Sequence, residues 1–212
     1  KCDLFQVYGL TETTGAITIM MPNDHDPSKG KLRSCGKALD GVELKVVDEE
    51  GNDLETGQIG EVICKSDLNM KGYWNKPEAT KESIVDGWFY SGDAGFFDQE
   101  GYLFIHDRVK DMIVSGGENI YPAEVENALM SHNEILDAAV VGVPDDKWGE
   151  SVKGFVVIGE NSSLREEDII SYSRTQIAAY KCPKSIEFIN ELPRNPSGKI
   201  LRRELRDPYW EG

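Results

Sequence analysis

A short charged segment, residues 107–111, divides the chain into two stretches of different sequence texture. Before it, glycines separate short alternating runs such as residues 42–48 and 59–64, a pattern typical of strands joined by tight turns. After it, apolar runs of strand length alternate with runs of helical spacing. We therefore expect an α+β fold, with a small β-barrel-like part within residues 1–107 and a compact α+β domain over residues 108–212.

The sequence of the second stretch indicates the positions of its helices and strands more clearly than that of the first. A proline at the first turn and acidic residues soon after it predict a helix over residues 122–130. The other predicted elements are a strand over 136–143, a strand over 154–158, an amphipathic helix over 164–179 opened by Ser162 and Ser163, and a strand over 186–189.

Composition narrows the class of protein. Hydrophobic residues make up 39% and charged residues 29%, an ordinary globular balance, and no apolar run approaches the roughly 20 residues of a membrane-spanning helix. The net charge of −15 disfavours nucleic-acid binding, because phosphate backbones would be repelled. The first residues contain neither a starting Met nor a signal peptide, so we expect a chain that begins inside a longer protein.

The four cysteines are scattered, and no two form a CxxC pair. This spacing favours reduced thiols in a cytoplasmic protein over a zinc site or a disulfide framework.

The first candidate motif is the run Tyr-Gly-Leu-Thr-Glu-Thr at residues 8–13. An aromatic ring can stack on a base, a hydroxyl can bond a phosphate, and a carboxylate can hold Mg²⁺. The run is equally typical of a turn that caps the start of a helix.

The second candidate motif is the run Gly-Trp-Phe-Tyr-Ser-Gly-Asp at residues 87–93. Asp93 is suited to accept both hydroxyls of a ribose. Taken alone, the run favours the plainer interpretation, an aspartate at a hairpin end that bonds its own backbone.

The third candidate motif covers residues 107–122, where charged residues lead to a short apolar strand and a Gly-Gly turn. It is typical of an interdomain linker followed by a tight turn. The functional interpretation has Arg108 gripping a ribose or phosphate, and Gly116 and Gly117 letting a thin ligand arm pass close to the backbone.

The fourth candidate motif lies within residues 192–203, where Lys199 follows a Pro-Ser-Gly turn. A lysine on such a loop is a movable cation that can stabilise charge developing on a transferring group. By itself the run favours a basic tail.

Together and in this order, the motifs closely resemble those of the adenylate-forming superfamily, which includes acyl-CoA synthetases, firefly luciferase and the adenylation domains of nonribosomal peptide synthetases. The segments that carry the resemblance are Y-G-x-T-E at 8–12, G-E-V at 60–62, W-F-x-S-G-D at 88–93, the hinge and Gly-Gly stretch at 108–126, and P-x-G-K at 196–199. The chain is thereby identified as the C-terminal portion of an acyl-CoA synthetase.

The resemblance implies a role for each matching residue. It assigns nucleotide binding to five residues: Tyr8, Gly9, Thr11, Asp93 and Arg108. By the same resemblance, Glu12 holds Mg²⁺, Lys110 is the hinge, and the pantetheine tunnel of coenzyme A is lined by Ser115, Gly116 and Gly117. The catalytic residues are Lys199, Thr11 and Glu12. Within these roles, Tyr8 packs against adenine, Thr11 contacts the α-phosphate, Asp93 and Arg108 hold the ribose, and Lys199 bridges the carboxylate and α-phosphate.

The resemblance also implies an activity. An acid is activated with ATP and Mg²⁺ to an acyl-AMP and transferred to coenzyme A, while residues 1–107 end the large AMP-binding domain and residues 108–212 form a mobile lid. The partners are these small molecules, with peripheral membrane contact left open. The family's phosphate loop is absent, so we expect this chain alone to be inactive.

The acid is the least constrained feature. Residues 65–67, 72–75, 115–122 and 144–150 most resemble bacterial fatty-acyl-CoA synthetases, which favours a medium- or long-chain fatty acid. Three alternatives stay open: an aromatic acid such as coumarate, a non-catalytic lid-domain binding module, and a luciferase-like oxidoreductase.

Overall fold

The computed structural model describes residues 2–160 and 162–210, which separate into two compact units divided between Val109 and Lys110. Sheets and helices occur together in the chain, so the predicted α+β class is confirmed. No helix within the described residues is long and apolar enough to cross a bilayer. All four cysteines are free thiols.

The first unit consists mainly of antiparallel strands. Its elements are β1 (Gln6–Leu10), β2 (Gly15–Met20), β3 (Lys37–Ala38), β4 (Glu43–Val47), β5 (Gly60–Lys65), α1 (Pro77–Ser83), β6 (Ile84–Val85), β7 (Trp88–Phe97) and β8 (Leu103–Arg108). The first three strands form one sheet in the order β1-β2-β3, and the other five form a second sheet.

The long strand β7 organises the second sheet. It pairs with β5, which pairs in turn with β4, while β6 and β8 both pair with β7. Two small apolar clusters, one around Phe89 and one around Leu103, pack against these strands. The ladders recorded among the described residues leave β4 at an edge, so the barrel-like form of this part stays a prediction.

The second unit is one sheet with helices. Its elements are β9 (Ile113–Ser115), β10 (Glu118–Ile120), α2 (Pro122–Met130), β11 (Ile135–Asp145), β12 (Gly149–Ile158), α3 (Glu166–Gln176), β13 (Ser185–Phe188) and α4 (Arg202–Trp210). The strand order is β10-β9-β12-β11, and β13 joins β12 in parallel.

Alternate residues of β11 enter two different apolar clusters. Val140 belongs to the cluster that contains Val125 and Leu129 of α2, whereas Val141 belongs to the cluster that contains Leu205 of α4. A strand buried on both faces is apolar at successive positions, which explains its unbroken apolar run.

Two expectations for the second unit need correction. The strand predicted over 154–158 begins at Gly149, because the β11–β12 hairpin pairs down to Asp145 and Gly149. The helix predicted over 164–179 spans only Glu166–Gln176.

The expectation that Ser162 and Ser163 open this helix is wrong. The Asp168 carboxylate accepts the backbone N–H of Arg165 at 3.1 Å, and this bond fixes the start of α3. Ile177 has φ −134°, an extended backbone that ends the helix three residues early.

Candidate functional site

Three residues of the predicted nucleotide site meet in the first unit. The β7–β8 register places Arg108 opposite Asp93, and Arg108 Nε lies 2.8 Å from Asp93 Oδ1. Tyr8, on β1, donates its phenol hydrogen to Asp93 Oδ2 at 2.6 Å. The Asp93 carboxylate therefore bonds side chains from two other strands, which is not the self-contained hairpin end that the motif alone favoured.

The Ser-Gly-Asp turn that carries Asp93 is fixed to β5. Ser91 Oγ donates to the Val62 carbonyl at 2.6 Å and accepts the Asp93 N–H at 3.0 Å. The Gly92 N–H donates to Glu61 Oε1 at 2.8 Å. This anchoring places a carboxylate that is only 6% exposed without leaving it mobile.

Burial sets the protonation of the groups around Asp93. Burial, and then the hydrogen bond to Asp93, raises the pKa of the Tyr8 phenol well above its ordinary value of 10.0. Burial also raises the pKa of the Glu61 carboxyl, an effect that the Gly92 N–H partly offsets. Tyr8 is thus a neutral donor, and Arg108 supplies the positive charge beside the Asp93 carboxylate.

Residues 11–13 form a single 3₁₀ turn between β1 and β2 rather than the start of an α-helix. The Thr13 hydroxyl is buried and accepts the Leu10 N–H at 2.9 Å, so it closes the turn. Thr11 is exposed. The two threonines therefore differ: Thr13 is structural, and Thr11 is accessible to a ligand.

Glycine at position 9 is required by the strands themselves. A Cβ there would lie 1.9 Å from the Gly15 carbonyl oxygen on β2, well inside contact distance. Gly9 sits at the register shift between β1 and β2. The close approach of two backbones accounts for this glycine, and its assignment to nucleotide binding stays a prediction.

Glu12 is half-buried, and its Oε1 accepts the hydroxyl hydrogen of Tyr73 at 2.9 Å. No cluster of three or more metal-binding side chains occurs within the described ranges, 2–160 and 162–210. Mg²⁺ in nucleotide sites is commonly held by one or two carboxylates together with substrate phosphates and water. A single accessible carboxylate beside an exposed threonine fits that donor set.

In the second unit, Lys199 is exposed on a loop that Asn195 holds together. Asn195 Oδ1 accepts the N–H groups of Ser197 at 3.0 Å and Lys199 at 2.9 Å, and the Ser197 hydroxyl at 2.8 Å. The backbone pairs Arg194 with Ile200 across the loop base. The lysine is presented from a structured loop rather than from the basic tail that the motif alone favoured.

Arg194 fastens this loop to β11. Its guanidinium donates to the Gly198 carbonyl at 2.7 Å and to Asp137 Oδ2 at 2.6 Å. We did not predict Arg194, Asp137, Asn195 or Tyr73 from the sequence. Only Asn195 carried a usable local signal, since an asparagine before Pro-Ser-Gly is typical of a side chain that closes its own turn.

Gly116 and Gly117 form the two-residue turn of the β9–β10 hairpin, with φ of 62° and 85°. Positive φ at both central residues is the signature of the tight hairpin turn that favours glycine. A Cβ at Gly116 would lie 2.7 Å from the Trp148 ring. Ser115 is half-buried and the two glycines are exposed, so this turn presents accessible backbone.

Lys110, the predicted hinge, is exposed in a 3₁₀ turn, Val109–Asp111. With Asp111, Arg202, Arg203 and Arg206 it lines part of a cavity of about 270 Å³ within the second unit. Asp93 and Arg108 thus lie in the first unit and Lys110 and Lys199 in the second.

The motifs and both units point to one class of protein. The family model described as AMP-binding enzyme matches residues 1–74, and the model described as AMP-binding enzyme C-terminal domain matches residues 124–199. The chain belongs to the adenylate-forming superfamily and corresponds to the C-terminal portion of its members.

Particular relatives support this membership. The chain is 46% identical to the fatty acid–[acyl-carrier-protein] ligase ScoC of Streptomyces coeruleorubidus, covering 99% of this chain and 40% of that protein. It is 43% identical to the long-chain-fatty-acid–CoA ligase FadD13 of Mycobacterium tuberculosis, covering 98% and 40%. The chain therefore spans about two-fifths of the length of these curated relatives.

A solved structure is similar to most of this chain. The o-succinylbenzoate CoA synthetase of Bacillus subtilis, in complex with the acyl-adenylate intermediate OSB-AMP, superimposes with a TM-score of 0.87 at 39% identity. The match covers 96% of this chain and 41% of that one.

Proposed function

We propose that this chain is the C-terminal part of an AMP-forming acid–thiol ligase that acts on small molecules in the cytoplasm. The observation that carries the proposal is the meeting of Tyr8, Asp93 and Arg108, which the family resemblance had assigned to one nucleotide site. Tyr8 and Asp93 are 85 residues apart in the chain, yet they share a hydrogen bond. The names of the relatives agree with such an activity.

In the first half-reaction, a carboxylate oxygen attacks the α-phosphorus of ATP and pyrophosphate leaves. We assign the ribose hydroxyls to Asp93, whose oxygens accept hydrogen bonds, with Arg108 beside it and Tyr8 against the adenine. Thr11 contacts the α-phosphate. Glu12 is the residue that would hold Mg²⁺, which offsets the repulsion between the two reacting anions.

Lys199 supplies the second positive charge. The attack brings two anions together, and a cation placed between carboxylate and α-phosphate stabilises the charge that develops in the transition state. Its exposure on the loop closed by Asn195 supports this role, because the side chain is free to reach a ligand while its backbone is held.

In the second half-reaction, a thiol sulfur attacks the acyl carbon and AMP leaves. We propose that residues 108–212 act as a mobile lid that turns about Lys110, withdraws Lys199 and presents Ser115, Gly116 and Gly117 to the pantetheine arm of coenzyme A. The residues before 108 then form the end of the large AMP-binding domain. The exposed Gly-Gly turn supports this step, since two glycines without side chains leave its backbone accessible.

For the acid we propose a medium- or long-chain fatty acid, in line with the names of two relatives. An aromatic acid is the second candidate, favoured by a 42% identical relative named feruloyl-CoA synthase. For the acceptor we propose coenzyme A. A carrier-protein thiol is the second candidate, because ScoC is named a carrier-protein ligase.

Mass spectrometry of products tests the proposal. The full-length protein is mixed with ATP, Mg²⁺, coenzyme A and a panel of fatty and aromatic acids, and this 212-residue chain serves as the control. A fatty acyl-CoA from the full-length protein alone is the expected result. Acyl-AMP without a thioester would indicate a carrier-protein thiol, not coenzyme A, as the acceptor. The absence of acyl-AMP with every acid in the panel would overturn the proposal.

A further inference from the structure

Glu12 is held by a segment that lies about sixty residues further along the chain. Tyr73 Oη donates to Glu12 Oε1 at 2.9 Å, and the Met70 N–H donates to the Glu12 carbonyl at 2.7 Å. Next to it, the Thr14 hydroxyl donates to the Leu68 carbonyl at 2.6 Å. Both the backbone and the carboxylate of Glu12 are therefore fixed by residues 68–73.

Tyr73 is itself fixed from helix α1. Its N–H donates to Thr80 Oγ1 at 2.9 Å, and the Thr80 hydroxyl donates to the Lys76 carbonyl at 2.9 Å. The preceding Gly72 has φ 150°, and a Cβ there would lie 2.7 Å from Thr80 Cγ2. Thr80 thus packs directly on the backbone before Tyr73, which restricts where the phenol hydroxyl can be.

The Tyr73 phenol is a suitable hydrogen-bond donor to a carboxylate that binds a cation. A phenol donates one hydrogen bond without adding positive charge, so it orients the carboxylate while leaving its negative charge available. A lysine at the same place would neutralise that charge. Among the described residues, the structure records a hydrogen bond to Oε1 of Glu12 and none to Oε2.

We propose that Tyr73 is a positioning residue for the metal–nucleotide complex: its hydroxyl fixes Oε1 of Glu12, the carboxylate that would hold the cation, and leaves Oε2 available as a ligand. This inference rests on the proposed function, which assigns Mg²⁺ to Glu12. Outer partners of metal-ligating carboxylates commonly change metal affinity by about 10–100-fold when removed.

The test compares Tyr73→Phe with Tyr90→Phe in the full-length protein. Tyr90 is another half-buried tyrosine of the first unit, on β7 and outside the residues assigned to the site. Mn²⁺ binding in the presence of ATP is measured by electron paramagnetic resonance, and metal-free ATP binding by calorimetry. We expect Tyr73→Phe, unlike Tyr90→Phe, to weaken Mn²⁺ binding about tenfold. Metal-free ATP binding and thermal stability should be the same in the two variants.

A double-mutant comparison separates positioning from support of the fold. If Tyr73 acts through Glu12, then Tyr73→Phe added to Glu12→Gln changes Mn²⁺ binding no further. Mn²⁺ binding unaltered by Tyr73→Phe, or a loss that persists in the Glu12→Gln background, would overturn the inference. The unaltered protein distinguishes the two proposals: if it forms no acyl-AMP but the Mn²⁺ comparison gives the expected pattern, only the proposed function fails.

Discussion

At the residue scale, Asp93 contacts side chains that lie far apart in the sequence. Its carboxylate is almost fully buried and bonds both Tyr8 and Arg108, so its charge is compensated by one cation and one neutral donor. Burying a carboxylate is costly unless it is paired and hydrogen-bonded. The arrangement therefore keeps a charged acceptor in place at a site that local sequence alone assigned to a hairpin end.

The raised pKa of Tyr8 predicts an alkaline signature. Because its folded pKa lies above the ordinary 10.0, the stability that Tyr8 contributes is complete below about pH 10 and is lost as pH rises further. We expect the difference in free energy of unfolding between wild type and Tyr8→Phe to be constant below pH 9. Above pH 10 it should shrink by about 1.4 kcal/mol per pH unit. Denaturant titrations at several pH values check this, and a difference that stays constant to pH 11.5 would contradict it.

At the element scale, elements with local sequence signals could be predicted, whereas elements that depend on tertiary contacts could not. Helix α2 was predicted with its observed ends, because Pro122 and the apolar spacing are local signals. Helix α4 was not predicted, since Pro208 and its many charges resemble a tail. Its Leu205 packs in the cluster that contains Val141 of β11, a contact that no local pattern encodes.

The Gly-Gly turn makes a prediction that separates backbone strain from steric contact. Gly116→Ala and Gly117→Ala both place a side chain at positive φ, which costs about 1–2 kcal/mol. Only at Gly116 does the new Cβ also meet Trp148. We expect Gly116→Ala to lower the free energy of unfolding by about 1 kcal/mol more than Gly117→Ala.

Trp148→Ala is the background that checks this explanation. Without the ring, the two alanine variants should be equally stable in chemical denaturation. If Gly116→Ala remains the less stable one there, contact with Trp148 is not the cause.

At the scale of the whole molecule, the two units carry different parts of the proposed chemistry. Even within the first unit, family resemblance was needed to assign Tyr8 and Asp93 to one site, because residues 85 positions apart show no local sign of meeting. Tyr73 and Asn195 were missed for different reasons. Tyr73 acts across the fold on Glu12, whereas Asn195 acts on its own turn.

The proposed pivot at Lys110 predicts an unequal effect on the two half-reactions. In Lys110→Pro the ring fixes φ, so thioester formation should fall on the order of tenfold or more while acyl-AMP formation is retained. Lys110→Ala keeps backbone freedom and should leave both rates near those of wild type. Rapid-quench measurement of each half-reaction decides the matter, and normal thioester formation in the proline variant would remove Lys110 as the pivot.

The most direct test of the account is to measure both half-reactions in Lys199→Ala of the full-length protein. Lys199 is exposed at a loop tip, so its truncation should leave the fold intact. We predict that acyl-AMP formation falls by on the order of 10²–10³-fold, because charge stabilisation in the transition state is lost. Thioester formation from supplied acyl-AMP should stay near the wild-type rate. An equal loss of both half-reactions would contradict a second unit that serves adenylation with Lys199 and thioester formation with its Gly-Gly turn.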